Sequence, residues 1–235
     1  MRPFRLPLLI LILLQAPSAF AVSGFSNESQ LAVYSHGFKV GEISSRYIRR
    51  EEAGEELLLY TSHTRINAGF LVTSYTLEGD EEARIGPEGT RSYRKEWREN
   101  GERHLVDGVF DAGVFRCVSS GAGGTRRTFT FPRESYDFTT MDCPELRIRG
   151  EGELLTVRLL DLETCEVVTR SYRWVRTERL TVNGATELFR VVEFHDKNKG
   201  GTRWIAPDKV GVRIARQDGT SRKGGYSVRA MDHVR

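Results

Sequence analysis

Past residue 21, apolar and polar residues alternate along most of the chain. In the stretch from Val168 to Val175, Val168, Tyr172 and Trp174 fall on one side, and Thr169, Ser171 and Arg173 on the other. A period of two is the mark of a half-buried β-strand, because successive side chains point to opposite faces. Phe70, Val72, Ser74 and Thr76 oppose Leu71, Thr73, Tyr75 and Leu77 in the same way, so a strand is expected across 70–77. Leu57-Leu58-Leu59-Tyr60 is a continuous apolar run, which fits a strand covered on both faces. RSYRKEWRE, residues 91–99, reads as a solvated strand face. No long segment carries apolar residues at helical spacing.

Turn signals punctuate these runs. Glu78-Gly79-Asp80, Glu99-Asn100-Gly101-Glu102, Asp161-Leu162-Glu163-Thr164, Val182-Asn183-Gly184 and Gln217-Asp218-Gly219 all lie between strand-like segments, and Asp196 to Gly201 forms a longer loop. Asn-Gly and Asp-Gly tolerate the positive φ of tight hairpins. His36-Gly37 is expected to turn the first hairpin or to sit in a bulge beside it, with Gly41 at a bulge or a close backbone approach. Ser119 to Gly124 runs into the strand-like RRTFTF, so it reads as a hairpin loop and not as a phosphate cradle, which would lead into a helix. The expected fold is all-β: a single curled antiparallel sheet, or an open to partly closed β-barrel, of about a dozen strands. An irregular crossing near 132–144 interrupts the pattern and joins two halves of the sheet.

The start of the chain changes the picture of where this domain works. Arg2 and Arg5 precede an apolar run from Leu6 to Leu14, and Ala19-Phe20-Ala21 offers small residues before a cut at Val22. That is the layout of a secretory signal peptide. The run is too short for a membrane span, which needs about 20 residues. Residues 1–21 are therefore expected to be removed, leaving 22–235 as one β-rich periplasmic domain without a membrane span. The full chain carries a formal charge of +3, and losing two arginines and no acid brings it to +1. Charges of both signs are interleaved, so the clustered basic stripe of a nucleic-acid binder is missing.

Three cysteines, Cys117, Cys143 and Cys165, enter an oxidising compartment on this reading. They allow one disulfide in any of three pairings, or three unpaired and mostly buried thiols. Cys143 lies in the polar stretch TTMDCPEL and is expected to be the most reachable. Catalytic patterns are lacking: there is no GxSxG, no HExxH and no CxxC. The histidines at 36, 63, 104, 195 and 233 are scattered, and His195-Asp196 reads as a solvated pair at a turn. No cofactor or metal is implied, and a non-enzymatic role is expected.

Several short motifs resemble the domain-of-unknown-function family 3108. They are YSHGFKVGE at 34–42, YDFTTMDCPELRIRG at 136–150, TERLTVNGATELFRVVEF at 177–194 and WIAPDKVGVRIARQDGT at 204–220. Trp204, Ile205, Asp208, Val212 and Ile214 match the family's Trp-Ile/Leu-x-x-Asp step and the strand after it. The resemblance implies an exported β-rich fold and no particular activity.

A curled sheet of this size can enclose an apolar small molecule or lipid, or its open edges can dock a cell-envelope protein. Tyr60, Phe70, Tyr75, Tyr172, Trp174 and Trp204 are the candidate lining residues, with a filled core as the alternative for each. A hydrolase with a dispersed site is the third reading. Export is directly testable: N-terminal sequencing of the protein recovered from the periplasm should begin at Val22, and an intact Met1 would overturn the leader.

Overall fold

In a computed structural model of the chain, residues 26–52, 54–70, 73–221 and 224–231 are described. The leader, the Ala21/Val22 junction and His233 lie outside the described residues. Fifteen strands follow one another: β1 (Ser26–Ser35), β2 (Phe38–Glu52), β3 (Glu55–Phe70), β4 (Thr73–Gly86), β5 (Gly89–Glu99), β6 (Glu102–Asp111), β7 (Val114–Ser120) and β8 (Arg126–Pro132), then β9 (Phe138–Thr139), β10 (Leu154–Asp161), β11 (Glu166–Val182), β12 (Ala185–His195), β13 (Gly200–Pro207), β14 (Val212–Ser221) and β15 (Gly224–Ala230). All belong to one sheet, ordered β8-β7-β6-β5-β4-β3-β2-β1-β15-β14-β13-β12-β11-β10-β9. Two meanders, β1–β8 and β9–β15, are thus joined where β1 pairs antiparallel with β15, Leu31 opposite Ala230 and Val33 opposite Val228. The short β9 runs parallel to β10.

Local chemistry accounts for most of the reversals. His36 (φ 51°) and Gly37 (φ 84°) both take the left-handed region, which matches the twist of the strands they join. Asn100-Gly101, Ala112-Gly113 and Asn183-Gly184 repeat the same pair of positive φ values. The crossing lies where expected. It carries short 3-10 turns at Arg133–Ser135 and Pro144–Arg147 around β9.

The sheet curls until its far ends face each other. Ala83, Tyr93, Val106, Phe115 and Cys117 of the first meander pack against Tyr136, Leu160, Leu162 and Cys165 of the second half. Cys117 and Cys165 form a disulfide across this seam, with Cα atoms 6.3 Å apart. Lys95 of β5 meets Glu163 of the β10–β11 loop at 2.5 Å. Thr90 of β5 shares a 2.6 Å hydrogen bond with Thr139 of β9. A second core cluster unites Ile148 with Val157, Leu159, Val168, Tyr172, Val192, Phe194 and Ile205. Phe189, Val191, Trp204, Ala206 and Ala215 form a third cluster. Strand alternation places it on the opposite face of β12 and β13.

Four expectations are corrected. The strand read across 70–77 is divided, since β3 ends at Phe70 and β4 begins at Thr73. Leu71-Val72 carries no turn residue to announce it. Gly79 and Gly219 lie inside β4 and β14, not in turns. A Cβ on Gly79 would sit 2.5 Å from the Trp97 Cβ, and one on Gly219 would sit 2.7 Å from the Tyr226 ring. Both are glycines because a neighbour crosses the backbone closely. The 91–99 strand is not simply solvated, because Tyr93 is buried on the inner face. Asp196 is no solvated partner of His195: it meets Arg170 at 2.6 Å with side-chain exposures of 0% and 2%.

Cys143 is the free and least buried of the three cysteines, since Cys117 and Cys165 are paired and buried. It takes φ 46° ahead of the 3-10 turn at Pro144 and packs half-buried against the second cluster. Burial pushes its thiol well above the ordinary range, the Glu145 and Asp142 carboxylates push the same way, and Arg203 opposes them. It is therefore the most reachable of the three, as expected, but a thiol that burial keeps protonated and slow. The native, oxidised protein should show one thiol that reacts far more slowly than after denaturation; equal rates would contradict this placement. The disulfide closes a 48-residue separation, for which chain entropy gives about 4 kcal/mol. Urea melts with and without reductant should differ by up to about that amount, and coincident melts would show that the seam holds without the bond.

Candidate functional site

Away from the seam, where β1 and β15 join the two meanders, the inner face does not fill. A cavity of about 730 Å³ lies against β1, β2, β3, β4, β14 and β15. That volume falls in the range of small-molecule sites, roughly 300–1,000 Å³. Period-two alternation aims its aliphatic wall inward: Leu31, Val33, Ile43, Ile66, Val212 and Val228. Five of the chain's eight tyrosines, Tyr34, Tyr47, Tyr60, Tyr75 and Tyr226, stand in the same wall. Tyrosine supplies apolar area with a hydroxyl at its tip, so the lining is apolar but studded with hydrogen-bonding groups.

Two bulges shape the cavity. The β1–β2 register shifts between Val33 and Tyr34, and the β13–β14 register shifts between Trp204 and Ile205. An extra residue in one strand bends it and increases its twist. Gly41 allows close approach beside the first bulge, since a Cβ there would lie 2.2 Å from the Arg65 carbonyl oxygen.

The cavity runs from residues near the turns at one end of the sheet, Ser35, His36, Glu99 and Gly224, to Tyr47 and Tyr60 beside the packed core. The Tyr47 and Tyr60 rings lie 4.8 Å apart, tilted by 45°. Burial raises both phenols well above their usual value, and nearby Glu81 adds to this. Both remain uncharged at any physiological pH. Among the described residues, no lysine or arginine lines the cavity.

The expected lining residues divide. Tyr60 and Tyr75 line the cavity. Phe70 ends β3, and its side chain lies outside what is described. Tyr172 is buried in the second core cluster, 6.4 Å from the Phe194 ring. Trp174 packs beside that cluster with the Arg190 guanidinium 4.4 Å over its ring, and its indole N–H donates to the Arg176 carbonyl at 2.9 Å. Trp204 points to the other face of the sheet, where its indole N–H donates to Glu178 and Arg216 lies 4.6 Å over the ring. These three belong to the second meander's packing and not to the cavity. Tyr34, Tyr47 and Tyr226 were missed. Alternation with Ile43 and Ser45 marks Tyr47 as inward, whereas Tyr34 follows Val33 across the register shift and is out of step with Leu31 and Val33.

Behind the wall are buried charges that sequence reasoning also missed. Arg170 bridges Asp196 at 2.6 Å and Asp161 at 3.2 Å, and Lys199 reaches Asp161 at 2.7 Å. Arg203 pairs with Glu145, on the crossing, at 2.7 Å. Among the described residues, no group of three or more His, Cys, Asp and Glu is placed to hold a metal ion. No described helix is long and apolar enough to cross a membrane.

No protein-family profile matches the sequence, so family 3108 is not supported by one, and no curated protein matches either. A solved structure does share the fold. It is the crystal structure of a β-barrel-like protein of the domain of unknown function DUF1849 from Brucella abortus. The TM-score is 0.52 at 8% identity, over 87% of this chain and 96% of that one. At that identity the likeness establishes a common β-barrel-like architecture, and the neighbour belongs to a different family of unknown function from the one the short motifs resemble.

Proposed function

We propose that this is an exported, non-enzymatic periplasmic protein that binds an apolar, lipid-like ligand inside its curled sheet. The carrying observation is the cavity of about 730 Å³ with an aliphatic and tyrosine wall. An apolar space of that size, left beside three packed clusters and walled by a fourth of Leu31, Val33 and Val228, is hard to explain as core, because protein interiors close-pack. The leader-like start supports export. The motifs shared with family 3108 agree with an exported β-rich protein and add no activity.

A second reading is an assembly role in the cell envelope. It is favoured by β8, which has a hydrogen-bonded neighbour on one side only. Such an edge can accept an added strand. Arg126, Arg127 and Pro132 on β8 are the kind of residues that blunt edges against random pairing, which counts against it.

Titration of the delipidated protein with a neutral fluorescent probe, N-phenyl-1-naphthylamine, should give saturable binding, and Ala68→Trp, which fills the cavity, should abolish it. Trp174→Ala serves as the contrast. It should lower unfolding free energy by about 2–4 kcal/mol while leaving probe affinity unchanged. An absence of saturable binding at high micromolar probe, together with no copurifying lipid, would remove the carrier reading and leave the assembly role ahead.

A further inference from the structure

The cavity's polar groups specify more than an apolar ligand. We infer that the site selects an uncharged amphiphile, a long-chain ester or similar neutral carbonyl compound, whose oxygen accepts the Tyr226 hydroxyl proton, with Gln217 and Arg203 as positioning residues. This rests on the reading of the cavity as an apolar-ligand site.

Charge comes first. Among the described residues, the wall contains no lysine or arginine. A fatty-acid carboxylate brought here would lose its water without gaining a cation, which is strongly unfavourable. Arg203 stands just behind the wall, but Glu145 already neutralises it at 2.7 Å. Glu145 is 2% exposed, and its Oε2 has no hydrogen-bond partner. The guanidinium charge is therefore already matched by a carboxylate, which leaves less of it for a second anion.

Direction comes second. Arginine only donates hydrogen bonds. The Arg203 Nε–H donates to the Gln217 Oε1 at 2.5 Å, which fixes the amide so that its NH₂ faces the other way. The Gln217 Nε2 then donates to the Tyr226 hydroxyl oxygen at 2.6 Å. With that oxygen acting as acceptor, the hydroxyl's own proton is left to point at a different acceptor. Gln217 and Tyr226 both line the cavity, so the ligand is the group in reach. The ring is held in place: it crosses Gly219 so closely that a Cβ there would lie 2.7 Å from its hydroxyl oxygen. The guanidinium that starts the relay is itself packed 4.9 Å over the Phe194 ring. A chain of fixed polarity, Arg203 to Gln217 to Tyr226, with Glu145 accepting from the same guanidinium, thus presents a donor into a largely apolar space.

The test compares three probes built on a twelve-carbon chain, methyl laurate, laurate and dodecane, by displacement of the neutral fluorophore at pH 8. Methyl laurate should bind about tenfold more tightly than laurate, and more tightly than dodecane. Tyr226→Phe should cut ester affinity about tenfold and leave dodecane unchanged. Gln217→Leu should do the same, a split between ester and alkane that a general loss of packing would not produce. If laurate binds as well as the ester, or if Tyr226→Phe leaves the ester unaffected, the inference falls while the carrier reading stands. If none of the three displaces the fluorophore, both fall together. The wild-type comparison of ester with acid holds its value even if a variant fails to fold.

Discussion

The seam between the two ends of the sheet is the contact on which the rest depends. Fifteen twisted strands cannot lie flat, and an open sheet would leave one apolar face and two edges in water. Here the ends meet through side chains and not through a continuous ladder. Phe115 and Cys117 of β7 face Leu160, Leu162 and Cys165, the disulfide ties them, and Lys95–Glu163 and Thr90–Thr139 add polar links. Once those ends are joined, the inner face becomes an interior. Its packed part lies at the seam and beneath the crossing, and its unfilled part lies opposite in strand order, where β1 meets β15.

The interior is unusually polar for its size. Arg170 sits between Asp161 and Asp196, and Arg203 joins β13 to Glu145 on the crossing. Removing such ions from water costs several kcal/mol each, and pairing only approximately restores it. Their contribution is therefore to position: each has one arrangement that satisfies its charge. Arg190 extends this by donating to the Ile148 carbonyl at 3.0 Å, so the irregular crossing is held by cations from the meander it caps. The same Arg203 orients Gln217 at the cavity, which links the crossing mechanically to the site.

The alternation in Val168–Trp174 and the Asn-Gly pairs made the sheet and many of its hairpins legible without coordinates, because both are local properties of the chain. What was illegible is non-local. Gly79 and Gly219 look like turn residues until one knows that Trp97 and Tyr226 cross over them. Trp204 and Trp174 look like lining residues because aromatic content does not say which face of which meander encloses space. Cys143 looks reachable in a polar stretch, yet its thiol packs against core contributed by β10–β13. Tyr47 and Tyr226 are far apart in sequence and share a wall only because β1 and β15 pair.

That pairing has a kinetic consequence. Within each meander, neighbours in the sheet are mostly neighbours in sequence, and such local contacts form quickly. The β1–β15 ladder instead joins residues 31–34 to residues 227–230, nearly the whole length of the domain apart. Loop closure over that distance must be met before any of its contacts can stabilise the chain. The cavity wall straddles this ladder, with Leu31 and Val33 on one side and Tyr226 and Val228 on the other. A chain still emerging from its ribosome, with its last strand unfinished, has no such cavity at all. The cavity is thereby confined to the completed molecule, and its presence reports that both meanders have found each other.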